Sequence, residues 1–164
     1  MSLRKKILYG FLAVIVIIQF IRPAKNQSDG ISANDISKHY SVPVDVQEAL
    51  KTACMDCHSN NTVYPWYANI QPVAWWLQHH VDEGKDELNF SEFGAYSPKK
   101  ANHKLKEVIE SQQEGWMPID SYTFLHKDAV LTQQQKDAIV NWAKVIQQQI
   151  KSANPGVDFT EKKK

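Results

Sequence analysis

Residues 54–58 read Cys-Met-Asp-Cys-His and contain both cysteines of the 164-residue chain. Thiols three positions apart lie on one helical turn, where they can add to the two vinyl groups of a haem. The histidine after the second thiol can then bind the iron from the same face. The pentapeptide therefore predicts a domain built around one haem, held covalently by Cys54 and Cys57, with His58 as the proximal ligand.

Three other uses of the cysteine pair stay open on the sequence alone. A dithiol redox pair usually lies next to a βαβ pattern, and this sequence has none. A structural zinc ion needs four ligands, so two of the remaining histidines would have to complete its site. A disulfide across three positions closes a loop too small to stabilise a fold by much.

The rest of the chain predicts an all-α fold, because no long stretch alternates with the period of two that a half-buried strand shows. Apolar residues recur at helical spacing in four segments, at residues 43–54, 72–83, 97–113 and 132–150. Gly84 and Gly115 are expected to end the second and third of these helices. Thr132 and Gln135 have the spacing of a capping box at the start of the fourth.

The N-terminus has the pattern of an export signal. Three basic residues at 4–6 precede an apolar run at 7–21 that only Gln19 interrupts. No Ala-x-Ala-like cleavage site follows, so residues 1–25 are expected to remain as a signal anchor or transmembrane helix. The run is shorter than the roughly 20 residues of an ordinary spanning helix, although snorkelling basic side chains could extend it.

Charge and composition also predict where the domain lies and how the chain is divided. The basic excess before the apolar run predicts a single-pass protein of the cytoplasmic membrane, with its domain on the periplasmic or another extracytoplasmic side. Thioether attachment of haem is completed on that side, so the two expectations agree. Residues 26–41 are expected to be a flexible linker, 42–151 the haem-binding domain and 152–164 a disordered tail.

Seven side chains are candidates for the sixth position of the iron. They are Met117, His79, His80, His103, His126 and, less favourably, Met55 and His39. Met117 is preferred because its soft thioether suits an electron-transfer iron and Pro118 fixes the backbone directly after it. The alternative for Met117 is a core methionine that fills an irregular gap. His79 and His80 are neighbours on one helix, so at most one of them could face the iron.

The chain is rich in aromatic residues between positions 64 and 124. Ordinary core packing accounts for most of them. A haem nevertheless presents two broad apolar faces, and Trp or Tyr can add a hydrogen bond to a propionate. We expect Tyr64, Trp66 and Trp76 to form walls of the pocket.

Several stretches resemble one known family. Cys54 to His58, followed by Met117-Pro118 and a further helix, is similar to a small class I cytochrome c. The chain resembles the bacterial haem-binding domain family more closely, at Cys57-His58-Ser59-Asn60-Asn61, Tyr64-Pro65-Trp66-Tyr67, Pro72-Val73 with Trp76, Leu88-Asn89-Phe90-Ser91 and the segment 131–142. The resemblance covers roughly residues 40–150 and implies a c-type haem protein, without implying a physiological role.

A fully coordinated His/Met haem favours a membrane-tethered carrier of single electrons over an enzyme. A peroxidase-like enzyme, or a haem-based redox or gas sensor, is the alternative and needs an open or displaceable sixth position. No distal Arg/His pair is evident, and residues 42–151 contain no arginine. The expected partners are the membrane and redox proteins. Nucleic acid is not expected, because the net charge is +1 and there is no basic stripe.

Overall fold

The computed structural model describes residues 1–160, and every regular element in that range is helical. The α-helices there are α1 (Leu3–Ile18), α2 (Ile36–His39), α3 (Val44–Ala53), α4 (Met55–His58), α5 (Val73–Glu87), α6 (Pro98–Glu114), α7 (Asp120–Leu125) and α8 (Gln133–Ala153). Short 3-10 segments lie at Trp66–Asn69, Phe90–Ala95 and Lys127–Ala129. The all-α prediction is confirmed for the described residues.

The hydrophobic core lies between α3, α6 and α8. Leu105 and Ile109 recur at helical spacing on α6, and both are buried. On α8, Ile139 and Ile146 are buried at the same spacing. Such a stripe makes one face of each helix apolar, and burying these faces against each other joins the elements. Helix α4 packs against α3, and α5 packs against α4, so the motif lies between the core helix α3 and α5.

The ends of α6 and α8 follow the signals in the sequence. The Ser97 side chain accepts a hydrogen bond from the backbone N–H of Lys100 at the start of α6. Gly115 ends this helix with φ of +77°, a left-handed conformation that glycine adopts without a steric penalty. Thr132 and Gln135 form the complete capping box at the start of α8. These three predictions are confirmed.

The predicted end of α5 at Gly84 is wrong. The helix continues through Gly84 to Glu87. The first helix also differs from the expectation, because it ends at Ala53 and Cys54 has a non-helical φ of −128°. The last four motif residues then form the separate short helix α4. Cys54 thus separates the rest of the motif from the regular turns of α3.

The expected membrane helix at residues 1–25 is not found, and the placement of the protein in the cytoplasmic membrane is wrong. None of the helices within residues 1–160 has both the length and the apolar character to cross a bilayer. The 16 residues of α1 extend over about 24 Å at 1.5 Å per residue, against a hydrocarbon core of about 30 Å. Beyond α1, Gln19 is hydrogen-bonded to the backbone of Gln71, at 3.2 Å and 3.0 Å.

The segment expected to be a flexible linker packs on the domain. We call residues 19–28 the N-terminal strap. Asn26 in this strap is only 8 % exposed, and its side-chain Nδ2 donates to the carbonyl of Ser59 at 2.8 Å and to Thr62 Oγ1 at 2.9 Å. Ile36, in α2, belongs to the hydrophobic core. Residues 26–41 are therefore part of the folded unit.

The C-terminal segment also differs from the expected disordered tail at 152–164. The last helix, α8, extends to Ala153. Phe159 is partly buried against the core. The remainder of the expected tail, residues 161–164, lies outside the described residues.

Candidate cofactor site

A cavity of about 630 Å³ opens between the α3–α4 turn, α5, α6 and the segment 116–122. Its volume lies within the range of roughly 300–1,000 Å³ typical of cofactor and ligand sites. The lining is mostly apolar, as expected for a pocket that covers the flat faces of a porphyrin. Cys54, Cys57, His58 and Met117 all line this one cavity. The structure therefore brings together the four residues that the sequence analysis assigned to haem attachment and iron ligation.

His58 is held in one tautomer by the backbone. Its Nδ1 lies 2.8 Å from the carbonyl oxygen of Gly84 and 3.0 Å from that of Leu88. A carbonyl oxygen only accepts hydrogen bonds, so Nδ1 carries the proton and Nε2 keeps the free lone pair. Burial lowers the pKa of His58, which favours the neutral imidazole. A metal-binding histidine shows the same features: a neutral ring, oriented by a hydrogen bond from its other nitrogen.

Both thiols are strongly biased towards the protonated form. Burial, helped by the neighbouring Cys57, raises the pKa of Cys54 to about 12. Burial, with a smaller contribution from Asp56, raises the pKa of Cys57 to about 11. Zinc binding and dithiol redox chemistry use thiolates. Within residues 1–160 no group of three or more His, Cys, Asp or Glu side chains is arranged to hold a metal ion, so the zinc alternative lacks its ligand set.

Gly84 is the point at which α5 touches the motif. A Cβ atom on this glycine would lie 2.8 Å from the backbone oxygen of Cys57 and 2.9 Å from the Cβ of Cys57. Only a residue without a side chain allows this approach, and the approach brings the Gly84 carbonyl to His58. Sequence reasoning missed this role. The available signal was a glycine inside a helical pattern, which often marks close packing instead of a helix end.

Asp56, between the two cysteines, connects the motif to α7. Its Oδ1 accepts a hydrogen bond from the backbone N–H of Val63 at 2.9 Å. Its Oδ2 lies 2.8 Å from the hydroxyl of Tyr122, which is also 3.3 Å from the carbonyl oxygen of Thr52. Burial and the adjacent carboxylate raise the pKa of Tyr122, so its hydroxyl stays protonated and donates. The segment that carries Met117 is thus fixed to the motif from its C-terminal side.

The other candidates for the sixth position are placed less favourably than Met117. Apart from His58, His80 is the one histidine within residues 1–160 that lines the main cavity. It precedes Gly84 by about one helical turn, so it belongs to the same wall that holds His58. His79 lies 3.3 Å from Glu83 and His103 lies 3.2 Å from Glu107. Outside the lining of the main cavity, His126 stacks on Tyr122, His39 contacts the backbone of Ala33 and Met55 packs against the core.

The three aromatic residues expected as pocket walls do not line the main cavity. Tyr64 instead hydrogen-bonds to the strap residue Asn26 and to Gln78. Trp66 lies at the surface, 77 % exposed, and Trp76 lines a smaller neighbouring cavity of about 50 Å³. The aromatic residues that line the main cavity are Phe90, Trp116 and Tyr122. The predicted pocket walls did not include these three residues.

Comparison with known proteins agrees with this geometry. The family model described as "Haem-binding domain" matches residues 13–145. Comparisons with curated proteins and with solved structures found no match. The matched range includes the motif, the cavity and the N-terminal strap, and the cavity offers the volume and the oriented histidine that a haem requires. The chain therefore belongs to the haem-binding domain family and binds haem.

Proposed function

We propose that this protein is a monohaem c-type electron carrier. Cys54 and Cys57 attach the haem through thioethers, His58 is the proximal ligand and Met117 is the distal ligand. The observation that carries the proposal is the orientation of His58. Its Nδ1–H is engaged by two carbonyl groups while the ring lines the cavity that both cysteines share.

The protonated thiols support covalent attachment. With haem in the cavity, each S–H would add across one vinyl C=C bond, so that the sulfur would form a thioether and the hydrogen would go to the other vinyl carbon. The addition moves no net electrons and requires no external oxidant. Two partly buried, protonated thiols on one wall of an apolar cavity suit this reaction better than they suit thiolate chemistry.

The position of Met117 supports a fully coordinated iron. His58 is held by α5, whereas Met117 comes from the segment between α6 and α7. The two candidate ligands therefore approach the cavity from different walls. An iron with six ligands exchanges single electrons with little rearrangement, and thioether ligation raises the potential relative to two histidines.

The alternative is a peroxidase-like enzyme or a redox or gas sensor with a displaceable sixth ligand. One observation favours it: the hydrogen bond from Gln112 Nε2 to the Met117 carbonyl is long, 3.5 Å, and it holds the backbone but not the thioether. A small ligand could then displace the side chain although the segment itself is fixed. Rapid binding of carbon monoxide by the reduced protein would support this function over the carrier.

Covalent attachment is tested by denaturing electrophoresis of the full chain, produced together with a haem-attachment system. The haem is expected to migrate with the wild-type polypeptide. The double variant Cys54→Ala/Cys57→Ala is expected to release it. Haem that migrates freely from the wild type would contradict the thioether linkage.

Distal ligation is tested with Met117→Ala, using Met55→Ala as the matched control. Met117→Ala is expected to remove the charge-transfer absorption typical of thioether ligation to ferric haem, to lower the potential and to permit carbon monoxide binding. Met55 packs against the core, so its replacement should leave the spectrum unchanged. An unchanged spectrum in Met117→Ala would exclude Met117 as the ligand.

A further inference from the structure

The cavity contains an ion-pair cluster that haem attachment and ligation do not use. Lys104 is the one lysine or arginine among the described residues that line the cavity. Its side chain is 12 % exposed, and its Nζ lies 2.9 Å from Glu87 Oε2 and 2.7 Å from Glu107 Oε2. Glu87 is the last residue of α5, and the other two belong to α6. The cluster therefore fixes charges of both signs in the wall formed by these helices.

This cluster is adjacent to the group that holds the proximal histidine. Glu87 directly precedes Leu88, whose carbonyl oxygen is 3.0 Å from His58 Nδ1. His58, Lys104 and Glu87 all line the same cavity, so both charges face the space in which the iron would be bound. The Lys104 side chain is 12 % exposed and solvent screens its charge little, whereas Glu87 is 75 % exposed and its charge is screened more strongly.

We propose that Lys104 and Glu87 set the reduction potential of the bound haem in opposite directions. The inference rests on the proposed function, because it concerns the one-electron couple of the iron. The oxidised centre carries one more positive charge than the reduced centre. Lys104 disfavours that extra charge and raises the potential, whereas Glu87 favours it and lowers the potential.

The test compares the potentials of three haem-loaded variants with wild type at fixed ionic strength. Lys104→Gln is expected to disfavour reduction about fivefold, and Glu87→Gln, which removes a more exposed charge, to favour it about threefold. At 59 mV per tenfold for one electron, these changes correspond to about 40 mV and about 30 mV. The double variant Lys104→Gln/Glu87→Gln should have a potential between those of the two single variants. If the cluster had a purely structural role, the potential shifts of Lys104→Gln and Glu87→Gln would not be expected to have opposite signs.

Matched controls remove one positive and one negative charge from α8, which lies outside the cavity. The control substitutions are Lys144→Gln and Asp137→Asn, both at exposed positions. Each should change the equilibrium constant for reduction of the haem by less than about twofold. If Lys104→Gln fails to load haem, Glu87→Gln and Glu107→Gln decide the matter, because both keep Lys104 and both must raise the potential.

The outcomes separate this inference from the proposed function. The inference alone would be overturned if Lys104→Gln and Glu87→Gln, with unchanged spectra, shifted the reduction potential in the same direction. It would also be overturned if their potential shifts were no larger than those of the controls. A wild-type protein without a reversible haem couple would overturn the proposed function and the inference with it.

Discussion

Gly84 shows how one missing side chain can determine the geometry of a cofactor site. The alanine variant would place a Cβ 2.8 Å from the backbone oxygen of Cys57. Helix propensity alone predicts that Gly84→Ala stabilises α5 by about 1 kcal/mol. We expect the reverse, a loss of about 1–3 kcal/mol, because overpacking forces α4 and α5 apart. Denaturant unfolding of the haem-loaded protein measures the change.

Gly10 provides the control for this substitution. It lies inside α1, and a Cβ there meets nothing within 4 Å. Gly10→Ala should leave the free energy of unfolding unchanged or raise it by up to about 1 kcal/mol. A stabilising effect of both substitutions would show that the close contact between α4 and α5 does not constrain the folded protein.

Tyr122 offers a second prediction, about the link between the motif and α7. Tyr122→Phe removes the hydroxyl that lies 2.8 Å from Asp56 Oδ2. We expect a loss of about 1–3 kcal/mol, since the lost hydrogen bond is to a charged group. The matched control is Tyr67→Phe, because Tyr67 lines the smaller neighbouring cavity and lies outside the link between Asp56 and α7. Equal thermal stability of the two variants would contradict the role of Tyr122.

Among the elements, the N-terminal strap supports the back of the motif. Besides the bonds to Ser59 and Thr62, Asn26 Oδ1 accepts from Lys85 Nζ at 2.6 Å. Asn26→Ala should cost about 1–3 kcal/mol, because it leaves partly buried partners without hydrogen bonds. The exposed neighbour Gln27 gives the control, since Gln27→Ala should have little effect on unfolding. If Asn26→Ala is equally harmless, the strap does not stabilise the domain.

The sequence predicted best those elements whose signals are local. The caps of α6 and α8 lie within a few residues of the helix ends they form, so spacing alone identifies them. The role of Gly84 depends on Cys57, which is distant in sequence, and the partners of Asn26 are 33 and 36 residues away. Hydrophobic periodicity carries no information on such contacts. It also does not orient side chains in irregular segments, which explains why Tyr64 and Trp66 were assigned to the pocket.

At the scale of the whole molecule, Glu92 joins three distant parts of the chain around the motif. Its Oε2 accepts from Asn34 Nδ2 at 3.0 Å, and its Oε1 accepts from Asn60 Nδ2 at 2.7 Å. Asn60 also accepts a hydrogen bond from Asn89 Nδ2 at 2.8 Å. These partners lie in the segment before α2, in the loop after α4 and before the 3-10 turn. The Glu92 carboxylate therefore joins the segment before α2 and the loop after α4 to the 3-10 turn that carries it.

This arrangement gives the fold a dependence on acid pH that a single substitution can isolate. Hydrogen bonds, first from Asn34, lower the pKa of Glu92. A carboxyl whose pKa is lower in the folded state stabilises the fold above its ordinary pKa of about 4.3, and this contribution is lost as the pH falls through the folded value. Glu92→Gln should therefore be less stable than wild type near neutral pH, and the difference in unfolding free energy should narrow below about pH 4. Glu48→Gln, at an exposed position of α3, removes the same charge and is the control. Its unfolding free energy should differ little from that of wild type at every pH in this range. If the Glu92→Gln difference stayed constant across that range, the carboxylate would not be the group that couples these segments to pH.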